Sequence, residues 1–339
     1  VTAPSAQDWS DALAAIGGAD EIALLCHVGP DGDALGSMIG LGAALRAGGA
    51  KVVASFGTAT GEAFAVPSMY AFLPALDLLV KPEDFPAAPD VLVTFDTGSL
   101  ERLGSLGDRV ATSGTCVVVD HHTTNTRFGN VHLVDTGAAA TAVLVAEIVD
   151  RLGLPLTAEV AAPLYTGLVT DTGSFKYIAT TPAVHKLAAR LLATGIRHDL
   201  ISRAIWDTAS VAYVRLLGEV CSRVRLDPSA AGGLGLVWTT VTAADLVRHD
   251  LGVADVEGVI DVVRTAQEAE VAAVLKCEPG TDAVRVSLRS QGAIDLGAMC
   301  VPLGGGGHRY AAGFTSYDDV DRVLTRLREA LETAPHQRS

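Results

Sequence analysis

The chain has 339 residues, 49% of them hydrophobic, with 25 Lys and Arg against 39 Asp and Glu for a formal net charge of −14. That length exceeds what one core usually fills, so two domains are expected, and the acid excess excludes a broad basic track holding long nucleic acid by phosphate neutralisation. No apolar run reaches the roughly 20 uninterrupted residues that cross a bilayer, and the first twenty residues carry acids in a helical pattern rather than a basic start and an apolar stretch, so a soluble cytoplasmic protein is expected. From residue 21 to about 175, β-branched runs alternate with Ala- and Leu-rich helical patterns, the signature of a parallel sheet covered by helices on both faces. Glu21–Cys26, Lys51–Phe56, Asp90–Phe95 and Thr115–Val119 are the predicted strands. The stretch 195–222 reads as an amphipathic helical linker between a first domain, 1–194, and a smaller α/β domain, 223–335. In that second domain Gly233–Thr240, Val271–Lys276 and Ala283–Leu288 read as strands, and Val256–Gln267, Asp295–Cys300 and Asp319–Leu331 as helices. The five cysteines (Cys26, Cys116, Cys221, Cys277, Cys300) are scattered without CxxC spacing, as expected of small core residues in a reducing compartment.

Three predicted strands run directly into polar clusters, and in open parallel sheets ligands bind beyond the carboxyl ends of the strands, so these clusters should converge. The first, His27 to Ser37, sets His27, Asp31 and Asp33 in a Gly/Pro turn before a helix beginning near Ala34. Imidazole with carboxylates suits manganese, iron or zinc, although Asp33 also reads as an ordinary helix N-cap. The second, Asp96-Thr97-Gly98-Ser99, places a carboxylate at the end of a buried run, where a plain capping role is the alternative. The third, Asp120-His121-His122, puts three ionisable side chains in a row, which cannot all face a core. The fourth ends a helical apolar pattern at an exposed-looking Asp171 beside Gly173, a pattern that an ordinary helix terminus also gives. Near the C-terminus Gly304 to Gly307 precede His308. Four glycines in a row carry a heavy entropic cost, which points to a backbone approaching phosphate oxygens or a base rather than to a slack loop. His132, His185, His198, His249 and His336 are isolated and take no role.

These four motifs, in this order, resemble the DHH phosphoesterase superfamily, named for the triplet that stands here at residues 120–122, and the run Gly304 to Phe314 resembles the glycine-rich signature of the associated DHHA1 domain. The likeness covers nearly the whole chain. It implies an N-terminal parallel-sheet DHH domain and a C-terminal α/β DHHA1 domain with the active site in the cleft between them. It further implies two divalent metal ions, manganese above all, one held by His27, Asp31 and Asp96 and the other by Asp33, Asp96, His121 and Asp171. Asp96 bridges the pair in this scheme, His122 faces the scissile phosphate, and Asp120 steadies the adjacent histidine. Two such ions would clamp an in-line displacement and acidify a water. In the second domain Arg289, Gly305, Gly306, Gly307 and His308 are the expected substrate-binding residues; Arg264 of the same domain and Lys176 of the first are weaker ones.

Within the superfamily, the two-domain length and the glycine-rich second lobe resemble the nano-RNase and pAp phosphatase type. The resemblance implies hydrolysis of short oligoribonucleotides and linear dinucleotides such as pApA, removal of the 3′-phosphate of pAp, and a homodimer without a membrane or long nucleic acid as partner. The alternatives are a cyclic-di-AMP phosphodiesterase, a RecJ-like short-DNA exonuclease, a pyrophosphatase, and a non-catalytic nucleotide sensor.

Overall fold

The structure, a computed structural model, describes residues 3–58, 63–307 and 309–334. The chain divides between Thr208 and Ala209 into two compact units. The break falls inside the 195–222 stretch, which forms two helices rather than one because Ser210 caps a new helix by accepting the Tyr213 N–H.

The first unit runs α1 (Ala6–Gly17), β1 (Glu21–Cys26), α2 (Gly32–Ala47), β2 (Lys51–Phe56), β3 (Val91–Phe95), a single turn α3 (Arg109–Thr112), β4 (Thr115–Asp120), β5 (Val131–Val134), α4 (Thr141–Arg151), α5 (Ala158–Asp171), α6 (Pro182–Leu192) and α7 (His198–Trp206). The five strands pair in parallel in the order β2-β1-β3-β4-β5. From β1 the chain steps to one side to make β2 and returns to the other side to make β3, so β1 and β3 flank a topological switch point, where open α/β sheets bind ligands. Cys26 and Phe95 are register partners there, as are Phe95 and Val119. His27 and Asp96 therefore leave the sheet side by side, with Asp120 one strand further on.

Successive β1 side chains alternate between two cores. Ile22, Leu24 and Cys26 join the helical layer, while Ala23 and Leu25 face Phe85, Leu103 and Leu106 on the other side. That second face is covered by short 3-10 segments and α3. Helix α2 is buried from Gly32 to Leu45. It crosses α5 closely because Gly36 has no side chain: a Cβ there would lie 2.3 Å from the Pro163 carbonyl oxygen. This close crossing brings the start of α2 to the end of α5, which carry Asp33 and Asp171.

The second unit runs α8 (Val211–Cys221), β6 (Arg225–Asp227), a short α9 (Ala230–Gly233), β7 (Leu236–Val241), α10 (Ala243–His249), α11 (Val259–Val263), β8 (Val271–Cys277), β9 (Val284–Ser290), α12 (Leu296–Cys300), β10 (Gly306–Gly307), β11 (Ala311–Ser316) and α13 (Val320–Thr333). Its sheet has the order β10-β11-β9-β8-β7-β6, with β7 and β8 parallel and the other pairs antiparallel. The helix expected over Val256–Gln267 is shorter, a 3-10 turn at Ala254–Val256 followed by α11. The glycine run is not a loop alone, because Gly306 and Gly307 pair with Gly313 and Ala312 of β11.

Candidate metal centre

Strand β1 delivers His27, which is 4% exposed. Its Nδ1 lies 2.9 Å from the Val28 carbonyl oxygen, and its Nε2 lies 3.8 Å from Asp31 Oδ1 and 3.7 Å from Asp96 Oδ2. A proton on Nδ1, accepted by that carbonyl, leaves the Nε2 lone pair facing the two carboxylates. Burial alone would lower the His27 imidazole, yet Asp96 and Asp31 together hold it above its ordinary pKa.

The turn after His27 differs from the simplest sequence reading. Asp31, not Asp33, caps α2, its Oδ1 accepting from the backbone N–H groups of Asp33 and Ala34, each at 3.0 Å. Asp33 is fully buried and caps a different helix, accepting from Thr141 N at 2.6 Å and Ala142 N at 2.9 Å at the start of α4. That helix begins after Ala140, which has no side chain able to cap it, so its exposed N–H groups draw a carboxylate from more than 100 positions away.

Asp96 leaves β3 in the left-handed region, with φ 54, and this turns its carboxylate back toward the sheet end. Its Oδ1 accepts from Thr141 Oγ1 at 2.9 Å and lies 3.4 Å from His121 Nε2. Burial opposes ionisation of this carboxyl, but His27, His122 and His121 together hold it far below the usual carboxylate range.

His121 sets its Nδ1 3.1 Å from the Ala138 carbonyl oxygen and turns Nε2 toward Asp171 at 3.3 Å and Asp33 at 3.9 Å. Burial would lower this imidazole, but the charges of Asp171, Asp96 and Asp33 push it up to about 10. Asp33 is raised to about 7, first by burial and then by the charge of Asp96. Asp171 is raised well above its ordinary value by burial and by Asp33 and Asp96, against the pull of His121. Asp171 is not the exposed helix end that the sequence suggests, since its side chain is only 23% exposed.

Among the described residues, donor atoms within 4.8 Å of one another form three groups: His27, Asp31 and Asp96; Asp33, His121 and Asp171; and Asp96, His121 and His122. Crowded buried carboxylates beside imidazole nitrogens form a hard, anionic donor set that fits divalent cations. Protons that the crowding retains on Asp33 and Asp171 are what a cation would displace.

Asp120 is fully buried and binds His122 Nδ1 and Asn125 Nδ2, each at 2.6 Å. Burial would lower His122, and the Asp120 hydrogen bond is the main influence raising it above its ordinary pKa. Asn125 and Thr141 were not singled out in the sequence. Asn125 stands close enough to the triplet to have been found there, whereas Thr141 carries no local signal. Tyr70 is buried, and burial pushes its hydroxyl well above its ordinary pKa.

The residues expected to bind substrate in the second unit form a looser set. Arg289 lies on β9, with Nη1 donating to the Leu288 carbonyl at 3.0 Å, and Ala311 of β11 is its register partner. Strand β11 separates it from Gly306 and Gly307. Two of the glycines have a packing reason: a Cβ on Gly305 would lie 2.1 Å from the Gly313 carbonyl oxygen, and one on Gly307 2.5 Å from that of Ala311. Gly306 faces open space. Arg264 ends α11 and pairs with Asp261 at 3.1 Å, a helix-surface contact. Lys176, which belongs to the first unit, is exposed in the turn after α5. His308 lies outside the described residues.

Comparison with known proteins agrees with this layout. The family model for the DHH family, N-terminal domain, matches residues 21–168, and that for the DHHA1 domain matches residues 239–334. The chain is 36% identical over 316 residues to the bifunctional oligoribonuclease and PAP phosphatase NrnA of Thermus thermophilus, covering 91% of this chain and 89% of that protein. It is 28% identical to the protein of the same name from Bacillus subtilis, covering 91% and 94%. The crystal structure of an exopolyphosphatase-related protein from Bacteroides fragilis shares the fold, with a TM-score of 0.86 at 24% identity over 97% of this chain and 96% of that one. With the triplet at the end of β4, a second unit matching the companion domain and a relative of this identity over nearly its full length, the chain belongs to the DHH/DHHA1 phosphoesterase superfamily.

Proposed function

We propose that the protein hydrolyses pAp and short oligoribonucleotides or linear dinucleotides such as pApA, releasing mononucleotides. One divalent cation would be held by His27, Asp31 and Asp96 and a second by Asp33, Asp96, His121 and Asp171, with Asp96 common to both. The observation that carries this reading is the convergence of six imidazole and carboxylate donors from β1, α2, β3, β4 and α5 at one sheet end. The names of the Thermus and Bacillus relatives supply the substrate class. Carboxylate-rich sites with imidazole suit manganese among the available cations.

Bound there, divalent cations supply charge stabilisation for phosphoryl oxygens and lower the pKa of water to about 7. The protein's own residues do the rest. Backbone carbonyls of Val28 and Ala138 fix the tautomers of His27 and His121. Asp120 orients His122 and favours its protonated form, so that the ring's Nε2–H can donate to a phosphoryl or leaving oxygen. No covalent intermediate is required: Cys26 and Cys116 are buried, with thiols that burial pushes up. In the second unit Arg289 and the open backbone at Gly306 are the proposed nucleotide-contacting groups. The net charge of −14 favours short substrates over long nucleic acid.

Among the described residues no helix is long and apolar enough to cross a membrane, and all five cysteines are free; a cytoplasmic homodimer is the proposed working form. The test is a substrate panel with manganese: pAp, pApA, cyclic di-AMP, short RNA, short DNA and pyrophosphate. Release of AMP from pAp and of mononucleotides from two- to five-residue RNA is expected. Hydrolysis of pyrophosphate alone would defeat the substrate assignment.

A further inference from the structure

The metal centre gathers Asp31, Asp33, Asp96, Asp120 and Asp171, and a phosphate entering it is itself an anion. A cation supplied by the chain stands at its edge. Arg102 Nη2 lies 3.2 Å from His27 Nδ1. The same nitrogen is 2.9 Å from the Val28 carbonyl oxygen, while Nε2 faces Asp31 and Asp96. With the ring proton on Nδ1 and donated to that carbonyl, Nδ1 has no lone pair left to accept from Arg102. In that tautomer the guanidinium lies beside the imidazole without donating to it. Among the described residues Arg102 forms no ion pair with a carboxylate, and the residue is exposed.

The backbone beneath it is held firmly. Val28 N donates to the Arg102 carbonyl oxygen at 2.8 Å. The neighbouring Leu103 and Leu106 are buried in the core on the second face of the sheet. Gly104 packs so tightly against the His27 turn that a Cβ would lie 2.3 Å from Val28 Cγ1, and its φ of +55 suits glycine. The fixed backbone and the exposed side chain place a planar five-donor fork next to the first metal group, and such a fork matches the oxygens of a phosphate bidentately.

We infer that Arg102 is a substrate-binding residue whose guanidinium grips nonbridging oxygens of the phosphate at the metal centre. This rests on the phosphoester reading of the same site. The test compares manganese-loaded full-length wild type with Arg102→Gln and Arg102→Lys by metal content, by calorimetric affinity for inorganic phosphate, and by KM and kcat on pAp. The Gln variant is expected to keep its full metal content, to bind phosphate about ten- to a hundredfold more weakly, as loss of a charge-assisted hydrogen bond implies, and to raise KM on pAp by a similar factor. Lys, which keeps the charge but not the fork, should recover only part of the loss. Equal phosphate affinity in wild type and Gln variant, or no phosphate binding by either, overturns the inference. So does metal loss that parallels the loss of affinity, since Arg102 would then merely support His27. If wild type hydrolyses no phosphoester, the proposed function fails, while the phosphate titrations still decide the role of Arg102.

Discussion

Replacing Asp96 by Asn probes the bridging scheme with the least disturbance to the fold. Asp96 sits at φ 54, a conformation that Asn tolerates but that costs Ala about 1–2 kcal/mol, so Asp96→Ala would mix backbone strain with loss of charge. The Asn amide oxygen can still accept from Thr141 Oγ1, now 2.9 Å from Oδ1. What disappears is a carboxylate whose two oxygens face His27 Nε2 at 3.7 Å and His121 Nε2 at 3.4 Å, one on each side of the centre. Weakening both proposed ions at once should remove several kcal/mol of transition-state stabilisation, about a thousandfold or more in kcat/KM at ~4 kcal/mol. Asp31 belongs to one group only, and its side chain is 55% exposed, so Asp31→Asn should cost clearly less and leave the second group's ion in place. The assay pairs steady-state hydrolysis of pAp with elemental analysis of the bound metal. An Asp96→Asn protein within tenfold of wild type and with unchanged metal content would refute the bridging role.

Other consequences are open to direct measurement. Asp120→Asn removes the main influence holding the His122 imidazole above its ordinary pKa; activity should fall about 10- to 100-fold with metal retained. If protonated His122 is the working form, the alkaline limb of the kcat profile should also move to lower pH in that variant, and an unmoved limb would count against that role. A Cβ at Gly167 would lie 2.7 Å from Asp33 Oδ1, so Gly167→Ala should displace that carboxylate and lower both metal affinity and melting temperature, checked by metal titration and thermal unfolding. In the metal-free protein Asp33 is raised to about 7 and His121 to about 10, so near neutral pH the imidazole holds its proton and the carboxyl part of one. Because a cation must displace them, manganese affinity should fall as pH drops from about 8 to 6, with roughly one to two protons released per centre at neutral pH. Calorimetry in buffers of different ionisation enthalpy reads that release directly, and its absence would contradict the donor assignment.

Much of the centre was legible in the sequence because continuous apolar runs ending in Cys26, Phe95 and Val119 announce buried parallel strands, and each run stops at ionisable residues. The parallel rule then places His27, Asp96 and Asp120 at one sheet end without further information. What was not legible depends on contacts between distant elements. Asp33 looks locally like an N-cap of its own helix, yet Asp31 takes that place and Asp33 caps α4, whose Thr141 and Ala142 lie more than 100 positions away. Arg102 reads as one more charge in a polar stretch until the Gly104 turn folds it against the His27 segment. The glycine run reads locally as a backbone awaiting phosphate, but Gly305 and Gly307 are also demanded by their packing against β11, a strand too rich in Ala and Gly to be recognised from its residues. Strand β5 is short and half-exposed at its start, so its residues carry little strand signal.

Crystals of the protein soaked in manganese and measured at the manganese absorption edge test the central claim most directly. Two anomalous peaks about 3.5–4 Å apart are expected, with Asp96 between them, His27 and Asp31 on one and Asp33, His121 and Asp171 on the other. A fully active protein whose crystals show no peak among these side chains, or whose only peaks lie elsewhere, would contradict it.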